Sequence, residues 1–185
     1  MLCRILEIFK SLPEPSLLVG NCYRWNDKGE MYEVNKPARL DITDLMMGWS
    51  INPFPVNPSQ YFYHKSLHQK IGPYNILEHF TLDIDFLIRA VQAANVTYRD
   101  EFWGNYRFLE GTKTFNDMKN LQAVQRLGAL LKKYRQELPW RQRLRIAIKW
   151  YRNRLTTTVK YLINDPLDFF LKVRLKLMKA FGFRP

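Results

Sequence analysis

With 185 residues, 46% hydrophobic and 15% aromatic, the chain can build one ordinary domain, or a smaller domain with an appendage, and is too rich in core-forming side chains to be disordered. Its formal net charge of +12 is unevenly spread: residues 1–120 carry 13 Lys and Arg against 14 Asp and Glu, and residues 121–185 carry 16 against 3. A near-neutral body followed by a strongly basic appendage points to anionic partners, either phospholipid headgroups or nucleic acid.

In chain order, Leu2, Ile5, Leu6 and Phe9 share one face of a short amphipathic helix that ends at "LPEP". Arg4, Glu7 and Lys10 interrupt its apolar run, unlike the core of a signal peptide. "SLLVGNCYRW" and "EMYEV" read as strands around the turn "NDKG", a hairpin. "LDITDLMMG" reads as a short capped helix. "INPFPVNPSQYFYHKS" is too rich in proline for helix or central strand and is expected to be an extended loop. From Phe80 the apolar positions Ile84, Leu87, Ile88, Val91 and Ala94 follow a helical period, with Thr81 as its cap. "NVTYRDEFWGNYRF" is a strand, and "EGTKTFND" closes it as a polar loop. Three helices are expected beyond residue 118: one from Leu121 to Leu138, one from Trp140 to Leu162, and one opening at Asp165–Pro166. The expected domains are therefore residues 1–118, the body, and 119–185, a basic amphipathic helical tail.

Cys3 and Cys22 make no disulfide framework and have no metal-like spacing, which suits a reducing compartment. No apolar run approaches the roughly 18 residues that a membrane span needs.

Asp83 and Asp85 fall in the first turn of the helix near residue 80. At about 100° per residue, Asp83 sits at the edge of the apolar stripe, while Asp85 and Arg89 lie four apart on the opposite face, where they can pair. Two readings stand. Both carboxylates complement the helix dipole, or Asp83 faces a cleft beside the sheet while Asp85 holds the helix. Spacing alone favours the first.

The order of segments alters that balance. "IGPYN", "LDIDFLIR" and "NYRFLEGTKT" resemble, in sequence and spacing, the acceptor-side half of family-two glycosyltransferases, in which a "GxFDE"-like turn precedes a helix of pattern E-D-x-D-L-x-x-R and a "YR-x-H-x-G-S-K-T"-like segment. The resemblance covers roughly residues 15–118 and is most specific between 59 and 114. It implies an α/β fold: a partial A-type nucleotide-sugar transferase fold lacking the amino-terminal nucleotide-binding strands and followed by basic amphipathic helices. It also implies transfer of a sugar from a nucleotide-sugar donor to an acceptor hydroxyl with inversion, of hexosyltransferase type. Asp83 matches the catalytic base, and an ionised carboxylate in reach of the hydroxyl is the group such a step needs. Asp85 and Arg89 match positions of structural support. Trp103 is a candidate sugar platform together with Tyr61, Tyr63 and Tyr106, although aromatic strands are more often core. Tyr106, Arg107, Thr112 and Lys113 match a segment that contacts acceptor and donor phosphates.

Two positions depart from the pattern: Leu82 replaces the glutamate before the catalytic aspartate, and Leu109 stands where the pattern has histidine. The complete family enzyme is expected to use a divalent metal, Mg or Mn, held by a D-x-D motif at a strand end. "DID" at 83–85 lies in a helical pattern and is not read as that motif, so no metal site is assigned to this chain. The chain opens downstream of the family's donor site and is expected not to be self-sufficient, working with a separate donor-binding polypeptide on a saccharide or lipid-linked acceptor.

His64 and His68 are four apart, a spacing that can bind metal, but no third ligand is evident, which leaves a loop and helix-surface role. Residues 140–185 set leucine, phenylalanine and tryptophan against Lys and Arg, the composition of helices in an anionic membrane surface; packing on the body with the charges outward is the alternative. The location that follows is cytoplasmic, peripheral at the inner face of the membrane. The alternative function is a non-catalytic peripheral membrane or nucleic-acid binding protein that keeps the same fold.

Overall fold

The structure, a computed structural model, describes residues 1–48, 54–78, 81–112, 114–116, 122–170 and 172–173. It is mixed α/β with a four-stranded mixed sheet. Strand β1 (Ser16–Trp25) is the axis of that sheet. Along one side it pairs with β4 (Asn95–Arg107), which runs parallel to it. Along the other side two antiparallel strands divide its length. Residues Leu17–Val19 pair with β3 (Tyr61–Tyr63), and Cys22–Trp25 pair with β2 (Met31–Asn35). The seven residues from Ser16 to Cys22 are buried, as fits a strand paired on both edges.

The β1–β2 hairpin turns where "NDKG" places it. Glu30 N–H donates to Asn26 Oδ1 at 2.9 Å, and Gly29 takes φ 79°, a left-handed conformation that costs glycine little. Helix α2 (Ile42–Met47) is capped by Asp41, whose carboxylate accepts the Asp44 N–H at 2.9 Å.

The proline-rich stretch is not loop throughout. Asn57 caps a 3-10 turn at Pro58–Gln60, and the chain then enters β3. Its prolines end at Pro58, so the backbone N–H groups of "YFY" are free to pair at the sheet edge. Gln60, fully buried, anchors the turn: its amide donates to Gly20 O at 3.2 Å and Asn35 Oδ1 at 2.8 Å.

One sheet face is covered by α1 (Leu2–Phe9). Ile5 and Ile8 pack with Leu18 and Trp103, flanked by Phe9, Leu12 and Phe62. Trp103 crosses β1 at Gly20, where an added Cβ would lie 2.7 Å from the indole Cδ2 and 2.8 Å from Glu101 O. The opposite face receives α4 (Leu82–Ala93), with α3 (Ser66–Ile71) and α2 packed beside it. Alternation along β3 turns Tyr61 and Tyr63 toward α4 and Phe62 toward α1.

The chain divides into two compact units, Met1–Arg143 and Leu144–Pro185. The expected body–tail boundary at 118/119 falls outside the described residues. Helix α5 (Gln122–Glu137), expected in the tail, belongs to the first unit. Its Leu127, Leu130, Leu131 and Tyr134 are buried, each such side chain contributing on the order of 2 kcal/mol. Arg135 also donates through Nε to Met46 O at 3.1 Å, which ties α5 to the end of α2. Helix α6 (Trp140–Asn164) follows, and Asp165 caps a further helical segment at 166–170 by accepting the Asp168 N–H at 3.1 Å. No helix among the described residues is long and apolar enough to cross a membrane.

Candidate active site

The α4 face of the sheet carries an aromatic cluster. Phe86 of α4 is fully buried at its centre, with ring centroids of Tyr74 at 4.5 Å, Tyr63 at 4.9 Å, His68 at 5.3 Å and Tyr61 at 6.5 Å. A polar chain runs along the edge of this cluster. The Gly72 carbonyl can only accept, so His68 Nδ1 carries the proton that bridges their 3.2 Å separation. In the neutral imidazole Nε2 then accepts from the Tyr63 hydroxyl at 3.1 Å, and Tyr63 in turn accepts from the Tyr74 hydroxyl at 3.3 Å.

Tyr61 stands apart from this chain. It is 4% exposed, and among the described residues its hydroxyl makes no well-formed hydrogen bond, although that of Tyr74 interacts with it. Burial first, and then the negative charge of Asp83, raise the Tyr61 phenol above its usual range. The same charge is the smallest of the causes that raise the Tyr74 phenol, where burial comes first.

Asp83 is half-buried in the first turn of α4. Burial raises its carboxyl above the ordinary 3.8, and no ion pair or hydrogen bond among the described residues opposes that rise. Asp85, two residues on, is held on both oxygens. Oδ2 accepts from Arg89 Nε at 3.0 Å, and Oδ1 accepts from the Tyr134 hydroxyl at 2.6 Å. Arg89 also donates to Ile71 O at 2.6 Å and Pro73 O at 3.0 Å, fixing the turn that leads to Tyr74.

The i,i+4 pairing of Asp85 and Arg89 is present, but the exposed face expected for it is not. Asp85 is 2% exposed because α5 brings Tyr134 over that side of α4. Thr81 stands at the N-cap position without capping through its side chain; its hydroxyl donates to Glu78 Oε2 at 2.8 Å instead.

The other expected contacts lie elsewhere. Trp103 is 6% exposed, packed against α1 on the opposite sheet face from Asp83, and is core. Tyr106 and Arg107 pair with Arg24 and Trp25, whereas Tyr61 pairs with Val19. Those five positions along β1 span about 16 Å. Tyr106 there faces the Arg24 guanidinium, 6.0 Å from its ring, and Arg24 is paired with Glu33. The Thr112 hydroxyl donates to Leu109 O at 2.7 Å within an exposed turn. Lys113 and His79 lie outside the described residues.

His64 and His68 are half-buried and hydrogen-bonded at the sheet edge. His64 Nδ1 accepts the Ser16 N–H at 3.0 Å with its ring edge-on to Phe9, and His68 is committed to the tyrosine chain, because both flank β3 where the sheet meets its helices. Tyr74 was missed as a site residue; its signal is its place in "IGPYN", the turn directly before the aspartate helix.

A divalent metal does not fit these side chains. Asp85 has both oxygens occupied by Arg89 and Tyr134 and does not converge with Asp83, and among the described residues no three His, Cys, Asp or Glu side chains gather into a ligand set. What the cluster does offer is one half-buried carboxylate whose charge reaches the phenols of the buried Tyr61 and the half-buried Tyr74. Compared with family models, curated proteins and solved structures, the chain matches none.

Proposed function

We propose that this chain supplies the acceptor-side half of an inverting, nucleotide-sugar-dependent glycosyltransferase of the A-type fold, with Asp83 as its general base. Asp83 takes the proton of an acceptor hydroxyl as that oxygen bonds to the anomeric carbon of the sugar. The bond from that carbon to the nucleoside diphosphate breaks, and its electron pair leaves on the phosphate oxygen. Attack opposite the leaving group inverts the centre.

One observation carries this reading: two aspartates share one helical turn, one held on both oxygens by Arg89 and Tyr134, the other half-buried with no such partner among the described residues, its charge felt at the buried Tyr61 phenol. A base works best when its pKa is moved toward the operating pH, and burial moves Asp83 in that direction. Tyr74, half-buried at the edge of the cluster, offers a hydroxyl and an aromatic edge to a sugar, and the buried Tyr61 backs it. The Asp85–Arg89–Tyr134 arrangement is scaffold: it fixes the helix and the turn that carry the working groups. Tyr106, Arg107 and Thr112 are not part of the proposed centre, and donor binding, with any metal on the diphosphate, belongs to the donor half.

The test joins a donor-binding half from a family-two transferase ahead of residue 1 and follows sugar transfer to small hydroxyl acceptors by NMR of the product anomer. Transfer with inversion is expected. Transfer with retention, or none from a joined protein that folds and binds the nucleotide sugar, overturns the proposal.

A further inference from the structure

Helix α6 presents an apolar face that none of the described residues of its own unit covers. Within Leu144–Pro185, the side chains of Leu144, Ile148, Tyr151, Leu155 and Val159 are 51–65% exposed. At about 100° per residue they fall within an arc of about 80°. Ile146, the buried residue of this helix, is on the other side. The charges are ordered around this stripe. Arg145 and Arg152 border one edge and Arg154 the other, while Lys149 and Lys160 lie opposite. Between Leu144 and Asn164 there are five basic residues and no acidic one.

We propose that this face of α6 lies flat in the interface of an anionic lipid bilayer. The apolar stripe enters the boundary between headgroups and acyl chains, while the bordering arginines keep their stems on the apolar surface and their guanidinium groups among lipid phosphates. The helix is not apolar enough to span, so the geometry is parallel to the surface. Charge complementarity selects the occupant: arginines on both edges of the stripe, with no acidic residue in the helix beyond Leu144, oppose a neutral protein groove but match an anionic leaflet, each charge contributing about 1 kcal/mol. Phosphate of a nucleic acid would satisfy the arginines, yet leave the leucine, isoleucine and tyrosine stripe in water. The inference uses no residue of the Asp83 site and stands without the transfer reading.

The test is flotation of the full chain with phosphatidylcholine vesicles containing about 30 mol% phosphatidylserine, at near-physiological salt. Wild type floats with these vesicles and much less with phosphatidylcholine alone. I148S/L155S, at exposed positions, keeps its far-UV circular dichroism and loses more than about tenfold in partitioning. R145Q/R152Q loses the preference for anionic vesicles. The proposal is overturned if the wild type does not float, or if I148S/L155S floats as well as wild type. It is equally overturned if the stripe variant instead turns a dimer into a monomer, or if the chain binds RNA or DNA and ignores vesicles.

Discussion

Replacing Asp83 with asparagine keeps the shape of the side chain and removes the charge that burial disfavours. The folded-state pKa of Asp83 is raised above its ordinary 3.8, so between the unfolded and folded values the folded chain binds more protons. Stability therefore falls as pH rises through that window and stays lower above it. Asp83→Asn is expected to raise the melting temperature at neutral pH, with the gap to wild type closing as pH drops below the unfolded value; thermal melts across pH check this. Asp85→Ala has the opposite effect. It strips a buried carboxylate from Arg89 and Tyr134 and costs about 3 kcal/mol in denaturant unfolding. A stabilising change at one aspartate and a destabilising one two residues on is the pattern of a working group beside its scaffold. Cysteine chemistry separates in the same way. Burial pushes the Cys22 thiol up to about 11, while Cys3 is exposed, so a thiol reagent should label Cys3 alone in the native chain and both after unfolding. The pairing of Asp85 with Arg89 was readable from spacing, but its burial was not: the cover comes from Tyr134, 49 residues further along the chain.

At the scale of elements, local signals sufficed wherever the partner was local. The "NDKG" hairpin, the Asp41-capped helix and the long β4 strand stand where their own residues place them. β3 was not legible, since three residues after a proline cluster become a strand only through Leu17–Val19. The assignment of α5 to the tail failed for a related reason. Composition marked it as basic, but its buried side packs against α2, and its Tyr134 reaches Asp85 of α4. The closest approach in the sheet is testable. Gly20→Ala pushes a methyl into Trp103 and the backbone of Glu101 and is expected to cost about 1–3 kcal/mol in chemical denaturation, since neither the buried indole nor the β4 backbone can give way freely.

At the scale of the whole molecule, the first unit carries the aspartate helix and its tyrosines, and the second carries a basic helix with an exposed apolar face. The order of short segments around residues 59–114 suggested a transferase half from sequence alone. That resemblance also drew Trp103, Tyr106 and Arg107 into one site. The register of β4 on β1 carries Tyr106 and Arg107 away from Tyr61, and Trp103 faces α1 on the other side of the sheet; both are long-range properties of strand pairing that no local pattern encodes. What remains at the centre is a single carboxylate among aromatic side chains. The most direct measurement is the turnover of the donor-joined protein with Asp83→Asn, at saturating acceptor and with the fold verified. The account predicts a loss of about 10²–10⁴ in kcat with KM little changed; turnover equal to that of the unmodified protein would contradict it.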